Sequence, residues 1–255
     1  MKILWIVNVE LPDIASEFGR AANTEGWLNV MSVQLVEQSD VQLHIACRCR
    51  EGDYHKYGKN GIYYYSFFKS TDKRLEEIFS DVQPDLVHIW GTEFEHSYIA
   101  TCILERLHMT GRTIISIQGL VSIIGEYHYT TSLPAKVIYG RTLAEFLFRR
   151  VYTNISDGQR EMVRQGDLEQ ATLQKNVYCI GRTDFDYACI RQINPHITYF
   201  HCFETLRDGF YKRRWRLERC KKHTIFFGQS YYPVKGVHIF IKAVAIIKEK
   251  YPDIK

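Results

Sequence analysis

The feature that most constrains the fold of this chain is an alternation between short apolar segments and longer amphipathic ones. Lys2–Val9, Leu86–Trp90 and Thr113–Ile117 are five to eight residues long and mostly apolar, which is typical of strands buried on both faces. Between such segments, apolar residues recur at helical spacing, as in Leu75–Val82. Strands that alternate with helices form βαβ units, so the sequence predicts an α/β fold with a Rossmann-like parallel sheet and helices on both faces.

The same reasoning predicts the remaining elements. Further strands are predicted at Val41–Cys47, Ile62–Phe68, Thr153–Ser156, Val177–Ile180, Ile197–Phe200 and Thr224–Phe227. Further helices are predicted at Ile99–Leu107, Ile138–Tyr152, Asp157–Gln165 and Val237–Ile247. Ser156 is predicted to cap the helix that begins at Asp157, because a serine side chain can accept a hydrogen bond from the first turn.

These elements predict three parts along the chain. Residues 1–211 are predicted to form an amino-terminal Rossmann-like domain, residues 212–222 a basic interdomain segment, and residues 223–255 the start of a second domain. The last part holds one βα unit, which cannot close a hydrophobic core by itself. We therefore expect the chain to be a carboxyl-terminally truncated fragment of a two-domain protein.

Composition excludes several classes of protein. With 45% hydrophobic and 24% charged residues, the chain can bury enough apolar surface to avoid disorder. It has no apolar run of about 20 residues that could span a membrane, and its first residues have the pattern of a strand rather than of a signal peptide. Its net charge of +4 is too small to indicate nucleic acid as the main partner. The seven cysteines include no Cys-x-x-Cys pair, so we expect reduced cysteines, a cytoplasmic location and no metal site.

Several segments, taken in order, resemble glycosyltransferase family 4, whose members use nucleotide-sugars and have the GT-B fold. The segments that carry this resemblance are Met1–Val7, Glu25–Leu28, Pro84–Gly91, Thr113–Leu120, Phe226–Gly228 and Lys235–Gly236. Three segments are similar to a bacterial subgroup of capsule and exopolysaccharide transferases: Gly91–His96, Ser116–Leu120 and Gly181–Asp186. The resemblance implies an amino-terminal GT-B domain on the acceptor side, followed by the first βα unit of the donor-binding domain.

The chain departs from the family pattern at three positions. Glu25 stands where the family usually has glycine, Gln118 where it usually has histidine, and Gln229 where it usually has arginine. The family's carboxyl-terminal half also carries two glutamates that frame the donor, and this chain ends before them.

The resemblance implies that Gly26, Gln229 and Lys235 bind the diphosphate of a nucleotide-sugar donor, which is a co-substrate. A glycine lets the backbone approach a phosphate closely, and a lysine supplies charge for a leaving diphosphate. A glutamine can donate a hydrogen bond but cannot neutralise charge. Each of the three can instead be an ordinary loop residue. The resemblance implies transfer with retention, without a cofactor or a metal ion.

Residues that follow the predicted strands are candidates for binding the acceptor sugar, because ligands of open α/β sheets bind at the carboxyl ends of strands. These candidates are Thr92, Glu93, His96, Gln118, Tyr127, His128 and Arg182. Glu93 can instead favour the start of a helix, Thr183 can cap the next helix, and the Tyr-rich segment around Tyr127 can be an interface. His88, inside an apolar strand, is predicted to be a core histidine.

Two basic regions have open alternatives. Either a membrane-surface helix or a core helix with exposed arginines is predicted for Arg141, Phe146, Phe148, Arg149 and Arg150. Lys212–Lys222 packs seven basic residues around one acid. It is predicted to be either a solvated interdomain helix or a site for phosphate polymers.

The resemblance implies that the parent protein is a metal-independent, retaining glycosyltransferase with a nucleotide-sugar donor and a glycan or lipid-linked acceptor. Its place would be bacterial surface polysaccharide or lipid-linked glycan synthesis, in the cytoplasm or at the inner face of the cell membrane. The fragment itself is expected to be inactive. A GT-B nucleotide-sugar epimerase and a non-catalytic sugar- or nucleotide-binding module are the alternatives.

Overall fold

The computed structural model describes residues 1–20, 26–49, 56–69, 71–140, 142–148, 154–229 and 231–255, and it confirms the predicted α/β fold. Within these residues the centre of the fold is one sheet of eight strands. The strands are β1 (Lys2–Val7), β2 (Gln42–Arg48), β3 (Lys56–Lys59), β4 (Ile62–Phe67), β5 (Leu86–Trp90), β6 (Thr113–Ser116), β7 (Tyr178–Gly181) and β8 (Thr198–His201).

The strand order across the sheet is β3-β4-β2-β1-β5-β6-β7-β8. Among the described strands, β3 alone pairs antiparallel with its neighbour, and the sequence did not predict it. The central strand β1 pairs with β2 on one side and with β5 on the other, so that Leu4 lies beside His44 and Val87. Because the other strands are parallel, the residues that follow β1, β5, β6 and β7 lie along one edge of the sheet.

Helices cover both faces of this sheet. The helices of the described residues, in both units of the chain, are α1 (Pro12–Glu17), α2 (Gly26–Gln38), α3 (Thr71–Val82), α4 (Glu95–Arg106), α5 (Val121–Ile123), α6 (Ala135–Tyr139), α7 (Leu143–Leu147), α8 (Ile155–Lys175), α9 (Asp184–Ile193), α10 (Asp208–Tyr211) and α11 (Val237–Lys250). A π-helical turn, Ile124–His128, follows α5 directly. The helix predicted at Leu75–Val82 is confirmed as the buried part of α3.

The core of the sheet is built from apolar strand residues. In β1 every residue from Ile3 to Val7 is buried. The neighbouring strands β2 and β4 are buried almost as completely. Continuous burial along a strand means that both of its faces are covered, as expected for a parallel sheet packed between helices.

The chain divides into two compact units. The first contains residues 1–120 and 167–212 and holds the sheet; the second contains residues 121–166 and 213–255. The described residues of the second unit form helices and turns but no strand. The domain boundaries drawn from the sequence at residues 211 and 222 stay a prediction.

The helix predicted at Ile138–Tyr152 is wrong. The chain instead forms α6 and α7, separated by Gly140, which adopts an extended conformation with φ −69° and ψ 141°. Glycine loses more conformational entropy in a helix than any other residue, so this position favours a break. Residues 149–152 of the predicted helix lie outside the described residues.

The strand predicted at Thr153–Ser156 is also wrong in the part that the structure describes. Helix α8 begins at Ile155 and contains Ser156, so Ser156 is not its cap. Asn154 caps the helix instead, because its Oδ1 accepts a hydrogen bond from the backbone N–H of Asp157 at 2.8 Å.

The strand predicted at Thr224–Phe227 does not form. The backbone hydrogen bonds that the structure describes here lead to the last residue. The N–H of Ile225 donates to the carbonyl oxygen of Lys255 at 2.9 Å, and the N–H of Lys255 donates to the carbonyl oxygen of His223, next to the segment, at 2.8 Å. Phe226 is 90% exposed. Two hydrogen bonds without a neighbouring sheet do not hold a strand in place.

The helix predicted for Lys212–Lys222 is wrong as well. The segment is irregular apart from one 3₁₀ turn, Leu217–Arg219, and every residue of it is exposed. Like charges one helical turn apart repel each other. The seven positive charges of this segment therefore disfavour a regular helix.

Candidate functional site

A small cavity lies in the first unit, at the carboxyl ends of β5, β6, β7 and β8. Its volume is about 80 Å³. Its walls include Trp27, Trp90, Gln118, Arg182, Phe203 and Glu204. This is the edge at which parallel α/β sheets bind their ligands, so the cavity is the candidate site.

Two buried N–H groups at this cavity have no hydrogen-bond partner among the described residues: Nε2 of Gln118 and Nε1 of Trp90. Leaving a buried donor unpaired costs about 1–3 kcal/mol. Native proteins satisfy most such groups, and each exception needs an explanation. Both residues line the cavity, so a hydrogen-bond acceptor bound there is a candidate partner for these donors.

Arg182 lies at the same cavity, and its guanidinium is held on two sides. Nη1 donates to Glu204 at 2.6 Å, and Nη2 donates to the carbonyl oxygen of Gln118 at 2.7 Å. The ion pair with Glu204 compensates the positive charge. Arg182 therefore links the segments that follow β6, β7 and β8 and shapes the cavity.

The helix after Arg182 is capped as predicted. Thr183 Oγ1 accepts a hydrogen bond from the N–H of Asp186 at 3.1 Å, and the Asp186 carboxylate accepts one from the N–H of Thr183 at 3.0 Å. This reciprocal pair is a capping box. It fixes the direction in which the chain leaves β7 and so the position of Arg182.

One side of the cavity is a hydrogen-bonded pair on β5 and β6. His88 Nε2 and Ser116 Oγ are 2.7 Å apart, and the His88 ring stacks on Trp90 with centroids 4.0 Å apart. Burial lowers the pKa of His88 to about 3, so the ring is neutral at physiological pH. His88 thus has a hydrogen-bond partner, but it is half-buried and lines the cavity, so its assignment as a core histidine stays a prediction.

The aromatic walls of the cavity are indole rings. Trp27 and Trp90 meet edge to face with centroids 5.2 Å apart, and Trp5 packs against Trp90 from within the core at 5.3 Å. Such pairs are stabilising and rigid, and indole combines an apolar face with one N–H donor. No site role was predicted for Trp27, in the first turn of α2, or for Trp90, at the end of β5.

A separate buried polar group follows β5. Thr92 and Glu169 are both fully buried, and Thr92 Oγ1 donates to Glu169 Oε2 at 3.0 Å. Glu93 is 9% exposed, and its Oε2 has no partner among the described residues. The predicted acceptor residues Thr92, Glu93 and His96 do not line the cavity that holds Gln118. The structure thus separates the predicted acceptor residues of the first unit into two groups.

The buried carboxyl of Glu93 has an unusual affinity for protons. Burial raises its pKa to about 7, and the nearby carboxylate of Glu169 adds to the rise. A carboxyl group with a pKa near neutrality can take up or release a proton under physiological conditions. Glu169, on α8, was missed by the sequence analysis because it lies 77 residues beyond Thr92.

His96 sits in the first turn of α4 among aromatic rings. Its ring stacks on Phe94 with centroids 5.3 Å apart and lies 5.4 Å from the ring of Phe67. Burial lowers its pKa to about 3, so the ring is neutral. These contacts favour a packing role, and its role in acceptor binding stays a prediction.

Gly26 is the first residue of α2, and an arginine packs directly against it. A Cβ at Gly26 would lie 2.5 Å from Nε of Arg207, so a side chain there would displace the guanidinium. Arg207 thus lies at the amino-terminal end of α2, where helix N–H groups and a cation can both attract an anion. Arg207 was not predicted, and Glu25 lies outside the described residues.

The remaining predicted site residues lie in the second unit: Tyr127, His128, Gln229 and Lys235. Tyr127 is exposed at the end of the π-helical turn. Lys235 ends a 3₁₀ turn, and its Nζ lies 5.2 Å from the ring centroid of Tyr232. Gly236 follows in the left-handed conformation, with φ 79°, and leads into α11.

The predicted membrane-surface helix falls mostly outside the described residues, which exclude Arg141, Arg149, Arg150 and the side chain of Phe146. Phe148 is described and exposed. None of the helices that the structure describes is long and apolar enough to cross a membrane. Among all the residues that the structure describes, no group of three or more His, Cys, Asp or Glu side chains could hold a metal ion.

No protein-family model matches this sequence, and no curated protein matches it. Several solved structures are similar to it, and two of these match over 79% of its length. One is sucrose-phosphate synthase from Thermosynechococcus elongatus, with 8% identity, a TM-score of 0.43 and 47% of that chain covered. The other is UGT73P12 from Glycyrrhiza uralensis, complexed with glycyrrhetinic acid 3-O-monoglucuronide, with 7% identity, a TM-score of 0.40 and 48% of that chain covered. The chain thus spans about half the length of each.

Proposed function

We propose that this chain is part of a nucleotide-sugar-dependent glycosyltransferase of the family 4 type, with the GT-B architecture. The order of its sequence motifs supports the proposal, as does the cavity at the carboxyl ends of β5 to β8. In the proposed reaction, an acceptor hydroxyl replaces the nucleoside diphosphate on the anomeric carbon of the donor sugar.

The observation that carries the proposal is the pair of unpartnered donors, Gln118 Nε2 and Trp90 Nε1, beside indole walls. Sugars present hydroxyl oxygens that accept hydrogen bonds and ring faces that pack on aromatic side chains. Pockets that enclose a whole drug-sized ligand measure about 300–1,000 Å³. A cavity of about 80 Å³ is smaller than this range and suits the edge of one sugar ring better than a whole nucleotide.

The charges around the cavity favour a neutral acceptor group. Glu204 compensates Arg182, and His88 is neutral. A phosphate would need uncompensated cations, whereas a hydroxyl needs only the N–H donors already present. We therefore propose that the cavity binds a sugar hydroxyl of a glycan or lipid-linked acceptor, and that any phosphate of such an acceptor binds elsewhere.

The donor diphosphate is proposed to bind at the amino-terminal end of α2. Gly26 lets the backbone approach closely, and Arg207 places positive charge there. Lys235 and Gln229 are proposed as further diphosphate ligands, on the strength of the family resemblance alone. Thr92, Glu93, His96, Tyr127 and His128 stay proposed acceptor ligands.

The finer features of the reaction are also proposals drawn from the resemblance. They are retention of configuration, independence of metal ions, a cytoplasmic location and a place in bacterial surface polysaccharide or lipid-linked glycan synthesis. Truncation of a second domain is proposed too. It is supported by α11, whose many apolar residues include none that is buried.

Calorimetric titration of the 255-residue chain tests the proposal. We expect neutral disaccharides to bind with millimolar affinity, and Gln118→Leu to weaken this binding by roughly tenfold to a hundredfold, the equivalent of about 1–3 kcal/mol. Gln38→Leu, at an exposed position in α2, is the matched control and should bind like wild type. UDP-, GDP- and ADP-sugars should bind weakly, with no sugar transfer.

Three results would contradict the proposal in different ways. If no saccharide binds, or if Gln118→Leu binds as well as wild type, the cavity is not the acceptor site. A micromolar dissociation constant for a nucleotide-sugar would place the whole donor site within this chain and would overturn the proposed truncation. Rapid interconversion of two nucleotide-sugar epimers without an acceptor would favour an epimerase instead.

A further inference from the structure

Charge is distributed unevenly along this chain. Residues 213–255 contain eleven lysines and arginines against three acidic residues, whereas residues 1–212 contain 22 against 26. The modest overall charge of +4 therefore hides a basic carboxyl-terminal stretch attached to a mildly acidic remainder. Such asymmetry indicates that the basic stretch has an anionic partner of its own.

The positive charge is most concentrated in Lys212–Lys222, here called the basic segment. Every residue in it is exposed. None of its seven basic side chains forms an ion pair with any residue that the structure describes. Many of the other basic side chains pair with an acidic residue, such as Arg182 with Glu204. The charges of the basic segment are thus available to an outside partner.

Large apolar side chains stand among these charges. Trp215 is 78% exposed and Leu217 is 69% exposed, and Phe210 and Tyr211 directly before the segment are exposed as well. Arg216 between them has an extended backbone, with φ −141° and ψ 131°. In an extended chain, alternate side chains point to the same side, so Trp215 and Leu217 lie on one side and Arg216 on the other.

We propose that the basic segment docks on the surface of an anionic lipid bilayer. Its lysines and arginines would contact lipid phosphates, and Trp215 and Leu217 would enter the boundary between headgroups and acyl chains. Nucleic acid would satisfy the charges equally well, but an exposed aliphatic side chain such as Leu217 gains nothing from stacking on bases. The combination of tryptophan, leucine and arginine therefore favours lipid.

This inference goes beyond the proposed function and does not depend on it. No residue of the basic segment lines the sugar cavity. The surface also differs from the helix predicted around residues 141–150. Failure of one proposal would leave the other standing, because the two are read out by different ligands and different variants.

Vesicle co-sedimentation of the 255-residue chain provides the test. We expect binding to vesicles of phosphatidylglycerol and phosphatidylcholine, little binding to pure phosphatidylcholine, and release by salt, since at 0.1 M salt charges are screened within about 10 Å. Each basic residue near an anionic surface strengthens binding about fivefold. Replacing four of them in R213Q/R214Q/R219Q/K221Q should weaken binding on the order of several hundredfold.

A matched variant controls for overall charge. K59Q/K73Q/R106Q/K175Q also removes four positive charges, all of them from the first unit. It should bind the anionic vesicles within about fivefold of wild type, the effect of one charge at the surface. If it loses as much affinity as the basic-segment variant, the attraction is non-specific and the proposal is wrong.

Tryptophan fluorescence locates the contact. Trp5 and Trp90 are buried and Trp27 is half-buried, so Trp215 is the exposed tryptophan of the chain. Vesicles should shift its emission to the blue, and Trp215→Phe should abolish the shift while keeping most of the binding. An absent shift in wild type, equal binding to neutral vesicles, no binding to either vesicle, or tighter binding to a DNA duplex would each overturn the proposal.

Discussion

The ends of two neighbouring strands, β5 and β6, carry similar polar residues but use them differently. After β5, Thr92 and Glu169 are buried together and joined by a hydrogen bond, with Glu93 buried close by. After β6, Gln118 keeps a buried N–H without a described partner, and it lines a cavity. Glu93 also keeps one unpartnered oxygen, but it does not line that cavity. A polar residue after a strand therefore does not identify a site unless an unused group also meets open space.

The largest expected difference in stability between the two strand ends concerns the glycines that follow them. Gly91 has φ 94°, and a Cβ there would lie 2.5 Å from the ring of Phe94. A Cβ at Gly119 would meet no atom within 4 Å. We expect Gly91→Ala to lower the free energy of unfolding by about 3 kcal/mol through overpacking and backbone strain. Gly119→Ala should stay within about 0.5 kcal/mol of wild type.

Urea unfolding of the two variants measures the difference. Wild-type protein and Gly119→Ala serve as references for Gly91→Ala. Equal midpoints for both alanine variants would show that the end of β5 is as open as the end of β6.

A second test uses the pKa of Glu93, which is raised from 4.5 to about 7 in the folded protein. The folded state then holds the proton more tightly than the unfolded state. Its stabilising contribution is full below pH 4.5 and is lost as the pH rises through 7. Between pH 5 and pH 8, wild type should lose about 2–3 kcal/mol more stability than Glu93→Gln does.

The pH dependence has a matched control in the same region. Glu95 is exposed in the first turn of α4, so Glu95→Gln should follow the wild-type stability curve. Unfolding at pH 5 and pH 8 would compare the three proteins. A wild-type curve parallel to that of Glu93→Gln would mean that Glu93 is ionised in the fold.

A third test compares the loss of one side-chain polar group at each strand end. Thr92→Val keeps the shape but removes a donor from the buried carboxylate of Glu169, so it should cost about 1–3 kcal/mol of stability. Gln118→Leu removes a donor that has no described partner, so it should cost less than about 0.5 kcal/mol. Thermal unfolding of both variants measures these two losses of stability. A larger loss for Gln118→Leu than for Thr92→Val would show that Gln118, and not Thr92, has a hydrogen-bond partner within the fold.

The smallest expected effect concerns the helix cap that follows β7. Thr183→Ala breaks the capping box of α9 and should lower stability by about 1 kcal/mol. Helix capping is local, so neutral disaccharide affinity should fall only slightly. Calorimetric and urea titrations would measure both quantities, and a loss of sugar affinity without a loss of stability would instead place Thr183 in the site.

The strand ends and the capping box could be predicted from the sequence because their signals are local. Apolar runs end visibly before Gly91 and Gln118, and Thr183 lies three residues before its partner Asp186. Whether a polar group has a hydrogen-bond partner within the fold depends on packing between segments that are distant in sequence. The partner of Thr92 lies 77 residues away, and no local pattern indicates it.

The errors in the sequence predictions have similar causes. Trp90 has the pattern of a core residue, and it is one, but it also lines the cavity, and its indole nitrogen has no described partner. The strand at Thr224–Phe227 has the right composition, but a strand needs neighbouring strands that its sequence cannot supply. Asn154 and Ser156 are both good caps, and only the start of α8 decides between them.

The strand order of the sheet bears on how the chain is assembled during synthesis. β2 adds beside β1, and β4, with β3 on its outer side, extends that half of the sheet. β5, β6, β7 and β8 then add outward from the other side of β1, one after another in chain order. No strand has to insert between two that are already paired. A chain that leaves the ribosome from its amino terminus can therefore build this sheet continuously, because each new strand pairs with a strand that is still at an edge of the sheet.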